Sequence, residues 1–284
     1  MLSLHTNIAA LAAQNAAARA QSRLSTSMTR LSTGFRINSA MDDAAGLQIA
    51  TRLRAQASGM AVAMRNTQNS TSMLQTAEGA FDEVTTMLIR MKDLATQAAD
   101  ASSGAKDKVA MQSEYDALGL ELANVMKNTS YGGNKLLAGG TLASAMTFQI
   151  GASSSETMAF DVSGKIASVL VSLGAASTNF GAPAAGTELT GSANATIALL
   201  ETAIDDVGGV RSALGAAGNR LDHVHNNLAN MVTNTKAAIG RIMDVDYAAE
   251  SANMVSAQML LQASTAMLKQ SQSMQKMILS LLQP

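Results

Sequence analysis

Leu74, Ala77, Phe81, Val84, Leu88, Met91 and Ala95 recur in alternating steps of three and four residues, which keeps one stripe of an α-helix apolar along its length. Such a stripe is stable only against another helix, so the segment predicts a coiled-coil seam. The only prolines are Pro183 and Pro284, which leaves both long flanks free of the strongest helix breaker. Comparable stripes run through Leu4, Ile8, Leu11 and Ala18, then Leu24, Met28, Leu31 and Phe35. They return in Met111, Tyr115, Leu118, Leu122 and Val125, after the small-residue gap DASSGAKD (100–107) where a helical hairpin can reverse. In the second half, Ile197, Leu200, Ile204 and Val207 lead to Leu214, Ala217, Leu221, Val224, Leu228 and Met231. Met254, Ala257, Leu261, Ser264, Leu268, Ile278 and Leu282 then mark a last helix. The predicted class is mainly α, with long antiparallel helices in a coiled-coil rod.

Composition fits seams better than a broad globular core. Aromatics make up 3% of the 284 residues, Trp and Cys are absent, and charged residues are 14%. Without Cys there is no disulfide scaffold, thiolate metal site or cysteine nucleophile. The net charge of −1 hides an uneven distribution: residues 1–41 carry Arg19, Arg23, Arg30 and Arg36 without an acid, and 251–284 carry Lys269 and Lys276 without an acid. Six cations over two long ends, with Phe35 the one aromatic side chain among them, argue against nucleic-acid binding. No apolar run approaches the roughly 20 residues of a membrane span. The opening MLSLHTNIAALAAQN has no basic n-region and places His5, Asn7 and Gln14 among its apolar residues, so no cleaved leader is expected.

Between the helical halves, residues 128–196 are rich in Gly, Ser, Thr and Ala and include the turn-like YGGNKLLAGG (131–140). TFQIG (147–151) and MAFDV (158–162) alternate apolar with polar residues around the loop ASSSE, which predicts a β-hairpin. That reading puts Phe148 and Ile150 on one face and Phe160 and Val162 on another. From 165 to 196 the expectation is a low-complexity loop or minimal excursion, too small for a domain of its own.

The most specific local chemistry lies in RLSTGFRINSAMDDAAGL (30–47). Gly34 lets a helix end, Asn38 and Ser39 supply capping oxygens for a new one, and Asp42 and Asp43 fall in its first turn, facing the positive end of the helix dipole. A catalytic pairing of the two acids is disfavoured, because helix neighbours point ~100° apart and neither has a His or hydroxyl partner in register.

Enzymatic signatures are missing: the chain contains no HExxH, GxxxxGK[ST], GxSxG or GxGxxG. His223 and His225 diverge by ~200° on a helix and cannot share an ion. DVDYAAE (244–250) lacks the glycine and ligand spacing of a calcium loop. Neither a cofactor nor a metal is expected, and the chain reads as a non-enzyme.

RLSTGFRINSAMDDAAGLQIATRL, QTAEGAFDEVTTMLIRMKDLATQAA (75–99) and YGGNKLL (131–137) resemble the amino-terminal region of bacterial flagellins. RSALGAAGNRLDHVHNNLANM (211–231), RIMDVDYAAES (241–251) and ILSLLQ (278–283) resemble the carboxyl-terminal region, in the same order. MLSLHTN, LQIATRL and MKDLATQAA look most like lateral, swarming-type members. The resemblance implies a structural subunit that self-assembles into the extracellular flagellar filament for motility. It also implies that both termini pair as helices in an inner core of 1–43 and 236–284, while 44–235 forms the helical rod, including the excursion 165–196. Self-assembly would then rest on Leu4, Ile8, Leu11, Leu24, Met28, Leu31, Met254, Leu261, Leu268, Ile278 and Leu282. Gly34, Asn38, Ser39, Asp42 and Asp43 would cap the junction between the two domains. Ends of Ala, Ser and Gln bury little apolar surface alone, so they are expected to order into helices ~50–60 Å long only on polymerisation.

The same resemblance implies export through a type III conduit, a flagellin export chaperone on the C-terminal segment, and filament-cap and hook-junction partners. Arg90, Leu94 and Glu114 match the patch by which many flagellins are sensed by Toll-like receptor 5; subunit contact is the other role open to them. A hook–filament junction protein of the same helical-ended class, or a secreted membrane-inserting amphipathic protein, is the alternative to a filament subunit.

Overall fold

The structure is a computed structural model that describes residues 7–281. In chain order these form α1 (Ile8–Thr33), α2 (Ala44–Ala99), α3 (Ala105–Asn128), β1 (Ser130–Tyr131), β2 (Asn134–Lys135), β3 (Met146–Gln149), β4 (Thr157–Phe160), α4 (Ser163–Ala176), α5 (Glu188–Gly191), α6 (Ala193–Met243) and α7 (Tyr247–Leu281). The mainly α class expected from the periodicity is what the chain adopts. Two compact units are present: the described parts of Met1–Gln56 with Thr233–Pro284, and Ala57–Val232.

The unit of Ala57–Val232 is built on the heptad stripe of α2. Leu74, Ala77, Phe81, Val84, Leu88, Met91 and Ala95 are all buried, and they share one core with Met111, Tyr115 and Leu122 of α3 and Leu200, Val207, Leu214 and Leu221 of α6. The gap after Ala99 is the reversal between α2 and α3, and there Asp107 accepts the Gly104 N–H at 3.1 Å. Gly132 (φ 58°) and Gly133 (φ 86°) supply the two positive-φ positions of a two-residue hairpin turn joining β1 to β2.

β3 and β4 form the expected antiparallel hairpin, with Phe148 opposite Met158 and Met146 opposite Phe160. The assignment of Phe148 and Phe160 to different faces is corrected: their rings stack with centroids 6.1 Å apart, and both pack on the helical core. Directly opposed residues share a face, so the register places the aromatic residues of both strands together.

The 165–196 excursion is also corrected. Its first part is α4, whose Ile166, Val169, Leu173 and Ala176 are buried in the core, because steps of three and four residues give this short segment an apolar face. The rest is held by polar contacts that periodicity does not reveal. The Tyr115 hydroxyl donates to the Ala176 carbonyl at 2.6 Å, and Gln112 donates to Glu188 at 2.8 Å and accepts the Leu189 N–H at 2.7 Å. Glu188 in turn accepts both the N–H and the hydroxyl of Thr178.

Candidate assembly surface

In the terminal unit α1 packs along α7. The side of α1 that loses solvent runs through Ala10, Ala13, Ala17, Ala20, Leu24, Ser27 and Leu31, and that of α7 through Glu250, Met254, Ala257, Leu261, Ser264, Leu268 and Ser271. Each series steps by three or four residues, so each is one face of its helix. Small side chains hold the middle of the seam: Ala20 and Ala257 are buried, which lets the backbones approach closely. Asn7 caps α1 by accepting the Ala10 N–H at 3.0 Å, and the same side chain donates to the Ser271 carbonyl at 3.2 Å, tying the start of α1 to the far part of α7.

The other end of the pair is a polar lock. α1 stops at Gly34, whose φ of 73° is open to glycine at little cost and whose N–H reaches the Arg30 carbonyl. Arg36 N–H donates to the Met243 carbonyl and Val245 N–H to the Gly34 carbonyl, making a short antiparallel bridge. Beside it, the Glu250 carboxylate is buried, accepts the Ser27 hydroxyl and lies 3.6 Å from the Arg30 guanidinium. Asp246 caps α7 by accepting the N–H groups of Ala248 and Ala249. Sequence reasoning passed over Glu250; its signal is an acid four residues beyond a capping Asp at the start of an apolar stripe.

The junction differs in detail from expectation. α2 begins at Ala44, so Asp43 is its cap rather than a first-turn residue, accepting the Gly46 N–H at 2.8 Å. Asp42 closes the preceding loop by accepting the N–H groups of Asn38 and Ser39 and the Ser39 hydroxyl, and Asn38 donates back to the Phe35 carbonyl. Asn38 and Ser39 therefore act as donors in the loop, and the capping oxygens come from the two acids. These bonds, the one from the Ser39 N–H foremost, hold the Asp42 carboxyl below its ordinary pKa.

Among the residues expected to carry self-assembly, Leu24, Leu31, Met254, Leu261 and Leu268 are half-buried in the seam between α1 and α7 of the same chain. Ile8, Leu11 and Met28 instead point away from it and are 74%, 56% and 56% exposed. Leu4 and Leu282, and the side chain of Ile278, lie outside the described residues. α7 carries a second apolar row that the expectation missed: Leu260, Met267 and Met274 at intervals of seven, with Val255 and Met259 beside them, all exposed. The helix pair thus covers one stripe and leaves another open to solvent.

In the other unit Arg90 and Glu114 meet across α2 and α3, with the guanidinium 2.7 Å from the carboxylate on an exposed surface. Leu94 is not part of that surface; it is 2% exposed and belongs to the core. Among the described residues there is no group of three or more His, Cys, Asp or Glu side chains able to hold a metal, and no helix is long and apolar enough to cross a membrane.

Residues 4–141 match the family model of the bacterial flagellin N-terminal helical region, and 197–282 that of the C-terminal helical region. The chain is 35% identical to polar flagellin F of Vibrio parahaemolyticus and 33% identical to flagellin A of Vibrio anguillarum, with 99% of this chain and at least 99% of each relative aligned. The first alignment is 376 positions long against 284 residues here, so that relative carries sequence this chain lacks. A solved structure from Vibrio parahaemolyticus, described as a flagellar hook-associated protein, shares the fold with a TM-score of 0.57 at 18% identity, over 72% of this chain and all of its own.

Proposed function

Because the chain belongs to the bacterial flagellin family and is a structural subunit of the flagellar filament, we propose that it polymerises through the apolar rows left open on its terminal helix pair. The observation that carries this reading is the second stripe of α7, Leu260, Met267 and Met274, with Ile8, Leu11 and Met28 exposed on α1. Apolar rows of this extent are stabilised by burial against further helices, and copies of the same pair supply them. Contacts of this kind that do not close into a ring continue as an open helical filament.

The residues divide the work. Leu24, Leu31, Met254, Leu261 and Leu268 close the seam within a chain, while Ile8, Leu11, Met28 and the Met-rich face of α7 meet neighbouring chains. We assign 1–43 and 236–284 to an inner core and 44–235 to a rod. A two-helix seam made largely of Ala and Ser buries little apolar surface, so the terminal pair orders as neighbours dock. The lock of Gly34, Asn38, Ser39, Asp42, Asp43 and Glu250 sets where the first helix ends. The role is structural, with no catalytic step.

Extracellular placement, type III export without a cleaved leader, an export chaperone on the C-terminal helix, and cap and hook-junction partners follow from family membership as part of this proposal. So does use in a lateral, swarming-type filament, which the opening sequence supports. Recognition by Toll-like receptor 5 is assigned to the exposed Arg90 and Glu114, with Leu94 contributing only by packing in the core. Arg90→Ala lowers receptor signalling by purified monomer, and unchanged signalling at matched concentration removes that assignment.

The test of the main reading is seeded growth. Purified chain added to filament fragments elongates them, as measured by sedimentable protein, and a variant lacking 251–284 does not while the rod remains helical. Elongation by the truncated variant overturns the role of the terminal pair; a need for lipid in place of seeds points to the membrane-inserting alternative.

A further inference from the structure

We propose that the open face of α7 is a methionine-oxidation site: Met259, Met267 and Met274 are converted to sulfoxides by peroxide in the unassembled chain, and this blocks its addition to a filament. The second half of the statement rests on the filament reading above; the first does not.

With no Cys and no Trp, the 19 methionines are the oxidant-sensitive side chains of this protein. The fold grades them by exposure. Met60, Met87, Met91, Met111, Met126 and Met158 are buried in the unit of Ala57–Val232, where packing shields their sulfur atoms. Met267 and Met274 of the open α7 row and Met259 beside it are 64%, 53% and 58% exposed; Met277 on the same helix and Met28 on α1 are exposed as well, at 64% and 56%. In the free, unassembled chain these thioethers face water, so peroxide can reach them before any neighbouring chain covers the row.

The chemistry is a two-electron transfer. The thioether sulfur attacks one oxygen of hydrogen peroxide, the O–O bond breaks, an S–O bond forms, and the peroxide is reduced to water. The product replaces a flexible apolar side chain by a polar one carrying a strong acceptor. A row suited to burial against a neighbouring chain then has to bury sulfoxide oxygens, each of which costs desolvation free energy unless a donor meets it; Val255 and Ala263 beside Met259 offer none, whereas Gln270 and Ser271 stand one turn from Met267 and Met274. One such group weakens docking by about ten-fold or more, and three act on the same face.

The experiment treats purified chain with hydrogen peroxide, maps sulfoxides by peptide mass spectrometry, and measures elongation of unoxidised filament seeds. Sulfoxide is expected first at the exposed positions, with the buried core methionines intact, and the elongation rate falls at least ten-fold. Methionine sulfoxide reductase restores it. The variant M259L/M267L/M274L conserves side-chain volume, elongates seeds without peroxide, and loses at least ten-fold less activity when treated. Met41, 95% exposed in the loop before α2, is the control, and M41L remains as sensitive as the parent. The proposal is overturned if oxidised chain elongates seeds at the untreated rate, if the triple variant is inhibited as strongly as the parent, or if M41L alone confers resistance. Failure of untreated chain to elongate seeds counts against the filament reading instead. In that event the sulfoxide map still decides the site, and preferential oxidation of the core methionines overturns it.

Discussion

Gly34 shows how much a single position can decide. Its positive φ ends α1, and a Cβ there would lie 3.1 Å from the Tyr247 hydroxyl. Gly34→Ala therefore adds backbone strain and a close contact, and about 1–2 kcal/mol of lost stability is expected at the helix stop. The variant filament should dissociate at a lower temperature than the parent, by light scattering. Glu188 is the corresponding point in the other unit. Burial pushes its carboxyl up, but the hydrogen bonds from Thr178 and Gln112 outweigh this and leave its pKa below the ordinary value. A depressed acid stabilises the fold above its unfolded-state pKa, and that contribution fades as pH falls through the folded-state value. Glu188→Gln should remove this part of the acid sensitivity of thermal unfolding. At neutral pH it should cost roughly 1–2 kcal/mol, because an amide nitrogen then faces donors. Equal acid sensitivity in parent and variant would show that the carboxylate does not hold the segment.

At the scale of elements, two kinds of seam coexist. The α2 stripe uses Leu, Phe, Val and Met and is buried along its length, whereas the α1 and α7 seam depends on Ala20, Ser27 and Ala257. Small residues bring the helices close but remove little apolar area from water, so this seam gains less from burial. Close approach also makes it intolerant of bulk. Ala20→Leu should overpack it at a cost of about 1–3 kcal/mol, raising the chain concentration needed for seeded growth while the melting of the Ala57–Val232 unit stays unchanged. An unaltered critical concentration would mean that α1 and α7 do not approach closely in the filament.

At the scale of the whole molecule, the two units are expected to behave differently in solution. Ala57–Val232 has a large buried core running from Leu74 to Leu221 and should melt cooperatively in the unassembled chain. The terminal unit, with apolar rows left open, should gain amide protection from hydrogen exchange chiefly in filaments. Strong protection of both terminal helices in dilute chain would contradict ordering on assembly. The open rows also set the direction of growth in stability: each added copy covers surface that the single chain cannot cover for itself.

Helix periodicity, the hairpin at 146–160 and the reversal at 100–107 were legible in the residues, because spacing alone dictates which side chains share a face. The α4 helix was less so, since its apolar face spans only a few turns among small residues. Tertiary structure alone decided which terminal stripe closes within the chain and which remains open: Leu261 and Met267 read alike in a list of apolar positions, yet one faces α1 and the other faces water. It alone put Leu94 in the core while Arg90 and Glu114 stay on the surface, and brought Glu250 to Ser27 across 223 residues of chain. Periodicity records that a face must be buried. Which partner buries it depends on contacts between segments far apart in the chain, which local spacing does not encode.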